Sequence, residues 1–297
     1  MRESVFFTEC PRDALQGLQH FVPTELKIKF IHCLMRCGFD ALDFTSFVSP
    51  AAVPQMADAE AVCEALEKDL PEVRPKLIAI VGNIQGAERA ARFPWIDYLG
   101  YPHSVSSTFL KRNINSSLDD SLKRLNRIRD IATAHGQKVI VYLSMAFGNP
   151  YGDPWSEELV CEEAEKIHAL GFDILSLSDT TAMATPEILH RVFTCVARNN
   201  PGLCCGLHLH VKPQNVRVLL EAAWQAGCRR YDGALGGFGG CPMASDTLTG
   251  NLDTETFWTF VEEKAGYNPL YRHRETYQTC KELANIIFLG TSEPEHV

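Results

Sequence analysis

The chain has 297 residues, 45% of them hydrophobic and 22% charged, with a formal net charge of -9. That composition supplies a sizeable globular core, and the acidic balance argues against nucleic acid as a partner. Eleven cysteines, an odd number scattered through apolar segments, argue against a disulfide framework, and none pairs at the CxxC spacing of a zinc module. No membrane span, signal peptide or transit peptide is recognisable, so a reducing cytoplasm is the expected location.

Short apolar runs alternate with helical patterns along the whole chain. Strands are expected at 5–9, 41–44, 76–81, 98–101, 138–145, 174–178, 203–209 and 230–234. The helices between them are expected at 24–37, 57–66, 86–92, 118–135, 156–170, 186–199 and 214–226, with a last one starting near Asp253. Thr185-Pro186 pairs a capping residue with proline at the first helical position. Ser156-Glu157-Glu158 places acids in a first turn. Gly38, Gly136, Gly171 and Gly227 stand where helices should stop. Eight strand–helix units in about 260 residues match a (β/α)8 TIM barrel. One domain over 1–297 is expected, with the barrel at about 1–263 and a helical extension at about 264–297. An open doubly wound sheet is the alternative, but no GxGxxG follows the first strand and no Walker lysine is present.

In such a barrel the chemistry sits at the C-terminal strand ends and the loops after them. Asp13 follows strand 1, Asp43 ends strand 2, and Asp179 follows strand 6. His208 and His210 end strand 7. Being two apart, they face the same way, while Leu209 faces the helices. Two such histidines can chelate a metal, with oxygens from Asp13 and Asn251 completing the set. Two nitrogens, two oxygens and open positions suit Mg²⁺ or Mn²⁺, with Zn²⁺ as the third candidate, and point to Lewis-acid chemistry. Arg12 reads either as an ion pair at the barrel mouth or as the stabiliser of a developing enolate or carboxylate. Asp179 reads either as a catalytic carboxylate or as a turn residue. After strand 8, the run Leu235-Gly236-Gly237-Phe238-Gly239-Gly240-Cys241-Pro242 presents a cysteine from a glycine loop, where it can give or take a proton.

Taken together these residues resemble 3-hydroxy-3-methylglutaryl-CoA (HMG-CoA) lyase and its metal-dependent TIM-barrel superfamily. The resemblance rests on Pro11-Arg12-Asp13-Ala14-Leu15-Gln16, Thr45-Ser46-Phe47-Val48-Ser49-Pro50, Arg112-Asn113-Ile114-Asn115, Ser178-Asp179-Thr180, His208-Leu209-His210, Gly239-Gly240-Cys241-Pro242 and Gly250-Asn251-Leu252. It implies that Asp13, His208, His210 and Asn251 bind the divalent metal. It implies that Arg12 stabilises the enolate, that Cys241 protonates it, and that Asp179 and Asp43 assist proton movement and positioning. Lys111, Arg112 and Asn113 would lie near the entrance for the acyl-CoA substrate; a solvated basic loop is the other reading. The family often forms homodimers.

The chain departs from the family pattern at four positions: Ala14 for Gly, Asp43 for Glu, Ser178 for Gly, and Val211 for the Asp after the second histidine. Asp43 sets its carboxylate over ~1 Å back, a displacement that can cost ~100-fold in rate. Val211 removes an acceptor near the histidines. Three activities remain open at this stage. The first is retro-aldol cleavage of HMG-CoA to acetyl-CoA and acetoacetate. The second is a related aldolase or lyase acting on another hydroxyacyl-CoA or hydroxyacid. The third is a catalytically weak barrel that binds metal or acyl-CoA.

Overall fold

The computed structural model describes residues 4–240 and 249–290. Its eight parallel strands close into a barrel in chain order. They are β1 (Phe6–Glu9), β2 (Ala41–Ser46), β3 (Lys76–Ile80), β4 (Tyr98–Ser104), β5 (Lys138–Ser144), β6 (Ile174–Asp179), β7 (Cys204–Leu209) and β8 (Arg230–Gly233). The ring closes where β1 pairs with β8, from Phe6 opposite Arg230 to Glu9 opposite Gly233.

The strand residues sort by parity, as a pleated strand requires. Leu42, Phe44, Leu77, Leu99, Val141 and Leu175 face outward into one large core shared with the helices. Ala41, Ile78, Ile80, Ile140 and Tyr142 face inward and fill the barrel. Gly100 makes room for that filling, because a Cβ there would lie 2.4 Å from Ile80 Cδ1.

The helices are α1 (Pro11–Gln16), α2 (Thr24–Met35), α3 (Ala59–Glu67), α4 (Ile84–Ala91), α5 (Ser107–Ile114), α6 (Leu118–Ala134), α7 (Glu157–Ala169), α8 (Pro186–Asn199), α9 (Val216–Gln225), α10 (Thr254–Ala265) and α11 (Arg274–Leu289). The expected start signals operate: Ser156 accepts from Leu159 N–H and Thr185 from Ile188 N–H. Gly38, Gly136, Gly171 and Gly227 all take positive φ, the conformation that costs glycine least.

Two helices escaped the periodicity reading. α1 is a six-residue helix, too short to show a period. α5 is mostly polar, and its start is fixed by capping: Ser106 Oγ accepts from Phe109 N–H, and Asp153 accepts from Thr108 N–H. Two strands also run at least two residues further than expected. β2 reaches Ser46, and β4 continues through Pro102 to Ser104, paired with Ser144 of β5.

After α10 the chain turns through a 3-10 segment, Pro269–His273, into α11. Phe288 of α11 stacks on Phe238 of the glycine loop at 4.5 Å. Cys37 Sγ, two residues past α2, lies 3.4 Å from Cys280 Sγ of α11. The cysteines build no framework among the described residues: one pair, Cys161–Cys195, links α7 to α8, and the other eight are free. No helix of the described residues is long and apolar enough to cross a membrane.

Candidate metal centre and substrate cavity

The C-terminal end of the barrel opens into a cavity of about 120 Å³ lined by Arg12, Asp13, His208 and His210 together with Ser46, Ser144, Ser178, Thr180, Tyr142 and apolar side chains such as Ile80 and Phe109. Asp13, His208 and His210 are all buried, and their ligand atoms lie within 4.8 Å of one another. The two imidazoles meet through Nε2, 3.2 Å apart, and Asp13 Oδ2 is 3.4 Å from His210 Nε2.

The surroundings set which atoms face the centre. His210 Nδ1 lies 3.1 Å from Thr180 O, a carbonyl that only accepts, so the proton of that ring belongs on Nδ1. His208 Nδ1 faces Asp232 Oδ2 at 3.6 Å, again an acceptor. Both rings therefore turn bare Nε2 lone pairs toward each other, an arrangement that favours a cation between them. Asn251 lies beside this group. Its Nδ2 donates to Asp13 Oδ2 at 2.8 Å and to Phe238 O at 2.9 Å. Its Oδ1 is buried with no hydrogen-bond partner, an orphan that a cation would satisfy. The donor set of two imidazoles, a carboxylate and an amide oxygen fits a divalent metal.

The electrostatics of Asp13 agree with that reading. Burial would raise Asp13, but Arg12 and the two histidines hold it well below the usual carboxylate range. It stays ionised, as a ligand must. Burial would lower His208, but its contact with Asp232 and the charge of Asp13 raise it.

Arg12 binds both neighbouring acids. Its Nε donates to Asp43 at 3.0 and 3.1 Å, its Nη2 also reaches Asp43, and its Nη1 donates to Asp13 at 3.1 Å and to Gln16 at 2.9 Å. The ion-pair geometry is thus present, and the guanidinium still lines the cavity. Its charge is held firmly: burial opposes it, and the two carboxylates more than compensate. Asp43 is pushed up by burial, to about 6, against the pull of Arg12. Its position is a correction to the sequence reading: Asp43 lies within β2 rather than at its end, which is Ser46.

Asp179 is the last residue of β6. Its carboxylate accepts from Met183 N–H and Ala184 N–H, both at 2.9 Å, the geometry of a turn residue. That turn carries Thr180, whose carbonyl meets His210. Lys111, Arg112 and Asn113 lie on α5, not in a loop. Asn113 lines the cavity, while Lys111 and Arg112 are exposed and Arg112 covers the Tyr151 ring at 4.9 Å. Of the divergent positions, Ser178 lines the cavity and Val211 is buried in the outer core. Gly239 passes so close to the metal centre that a Cβ would lie 2.7 Å from Asn251 Nδ2 and 2.9 Å from Asp13 O. Cys241 lies outside the described residues.

Three groups were given no role of their own in the sequence reading. Gln16 Nε2 donates to Asp13 Oδ1 at 2.6 Å. Asp232 stands behind His208. Glu9, on the outer face of β1, accepts from Leu235 N–H at 2.7 Å and from the Thr254 hydroxyl at 2.6 Å; burial pushes it up to about 8. Each had a weak signal available: an acid within a strand run, or an amide one helical turn from Asp13.

The comparisons with known proteins converge. The HMGL-like family matches residues 5–285. Mitochondrial hydroxymethylglutaryl-CoA lyase of Bos taurus is 34% identical over 250 residues, covering 82% of this chain and 74% of that protein. An HMG-CoA lyase from Acinetobacter baumannii, solved with coenzyme A and 3-methylmalate, superposes with a TM-score of 0.87 at 28% identity, covering 99% of this chain and 94% of that one. The HMG-CoA lyase from Brucella melitensis gives 0.80 at 31% identity, covering 93% and 98%.

Proposed function

We propose that this chain, which belongs to the HMGL-like family and is a carbon–carbon lyase, cleaves 3-hydroxy-3-methylglutaryl-CoA into acetyl-CoA and acetoacetate with a divalent metal, Mg²⁺ or Mn²⁺. The observation that carries this reading is the meeting of Asp13, His208 and His210 with Arg12 on one cavity wall. Asp13, His208, His210 and Asn251 would hold the metal. When bound, it supplies Lewis acidity to the oxygens of the reacting hydroxyacyl group.

The bond changes balance without an outside reagent. The C3 hydroxyl gives up its proton and becomes a carbonyl. The C2–C3 bond breaks, its electron pair moves onto C2 and the thioester oxygen, and C2 then takes a proton. Arg12, a fixed cation on the cavity wall, stabilises the enolate. Asp43, whose two oxygens both bond Arg12, holds that guanidinium in place, and solvent at the cavity mouth receives the hydroxyl proton. Cys241 returns a proton to C2. Asp179 positions the Thr180 turn that orients His210. Asn113 meets the substrate at the mouth, and Lys111 and Arg112 offer charge to the coenzyme A phosphates.

Product analysis of purified protein with HMG-CoA and Mn²⁺ tests the reading. Acetoacetate and acetyl-CoA in equal amounts are expected; no turnover with the Cys241 thiol intact would overturn it. Cys241→Ser should bind metal as the wild type does and lose most turnover.

A further inference from the structure

We propose that Asp232, braced by Ser176, is a positioning residue that fixes the ring and tautomer of His208 for metal binding. This inference rests on the metal reading above. β7 and β8 pair His208 with Asp232, and both side chains point into the barrel. Asp232 Oδ2 stands 3.6 Å from His208 Nδ1, a gap that a small ring rotation turns into a hydrogen bond. The Ser176 hydroxyl, from β6, donates to that same oxygen at 3.0 Å. Three adjacent strands thus contribute one residue each to a line that ends at the metal centre.

The cost of this arrangement points to a purpose. Asp232 is 1% exposed and does not line the cavity, so it neither touches substrate nor meets solvent. A carboxylate buried on a barrel axis is expensive. His208 Nδ1 has no hydrogen-bond partner, so Asp232 is the acceptor within reach. The two histidines differ in this respect. A backbone carbonyl orients His210, which no substitution removes, whereas His208 depends on a side chain. A second acceptor behind a ligating histidine keeps Nε2 bare and the ring aligned.

Mn²⁺ titration of the metal-free protein by calorimetry tests this, together with the His208 tautomer read from ¹⁵N–¹H correlation spectra. Asp232→Asn should weaken Mn²⁺ binding by roughly 10- to 100-fold and shift the His208 proton from Nδ1 toward Nε2. The KM for acyl-CoA at saturating Mn²⁺ should be unchanged. Ser176→Ala should weaken binding by about threefold, the scale of one hydrogen bond. Affinity within twofold of wild type and an unchanged tautomer in Asp232→Asn would overturn the proposal. Should that variant not fold, the same null result in Ser176→Ala would overturn it. If the wild type binds no Mn²⁺, the metal reading fails, and the tautomer still decides the role of Asp232.

Discussion

Two regions of the barrel mouth are built on opposite terms. At the β7–β8 corner, Asp13, His208, His210 and Asn251 are buried, and each is tied to a second side chain or a carbonyl. On α5, across the cavity, Lys111 and Arg112 are exposed, while Phe109, Asn113 and Ile114 line the cavity. The corner spends burial on fixing a few atoms, as preorganised chemistry requires. The α5 side leaves its charges hydrated, where each is worth little but can meet a large, polar ligand. On the proposed function, one region reacts and the other receives.

The sharpest way to break this comparison is to cut into the corner. His210→Ala removes a ligand and should abolish measurable Mn²⁺ binding in calorimetry; unchanged affinity would take His210 out of the ligand set. Arg12→Gln comes next. It leaves Asp13 and Asp43 buried without their shared cation, so kcat should fall by about 10²–10³. Breaking a buried pair should also cost about 3–5 kcal/mol in denaturant unfolding.

Glu9 tests the corner's support from behind, since it holds Leu235 at the start of the glycine loop and Thr254 at the start of α10. Its pKa is about 8 in the folded chain against an ordinary 4.5. The folded state therefore binds the extra proton between those values. The stability it contributes is complete below about pH 4.5 and is lost as pH rises toward about 8. Unfolding curves for Glu9→Gln should lose part of that slope and gain on wild type at pH 8. Parallel pH profiles for the two proteins would show that Glu9 does not carry it.

The smallest effect is expected on α5. Arg112→Ala should raise the KM for an acyl-CoA by roughly two- to fivefold, a surface ion-pair magnitude. The change should shrink with added salt and leave kcat unaltered. A loss of kcat instead would mean that the two regions are not divided as described.

The same contrast explains what the sequence could reveal. Eight alternating units announced the barrel, and Asp13 with the HxH pair announced the corner, because those residue types are seldom placed together for packing. The position of Asp43 was misjudged because β2 continues past Phe44 through two polar residues, Thr45 and Ser46, that a hydrophobic run does not include. The helix under Lys111 and Arg112 was missed because its cap, Ser106 with Asp153, draws on a residue 47 positions away. Asp232 and Glu9 were passed over because a single acid in a strand looks the same whether it faces solvent or a buried partner. Only the closed barrel distinguishes them. Asp179 kept both its readings until its carboxylate was found bonded to the turn it precedes.

The most direct test of the central claim is HMG-CoA turnover by protein stripped of metal with a chelator and then reloaded with Mn²⁺. The account predicts acetoacetate and acetyl-CoA in equal amounts after reloading and almost none before. Equal rates with and without metal, or no products in either state, would contradict it.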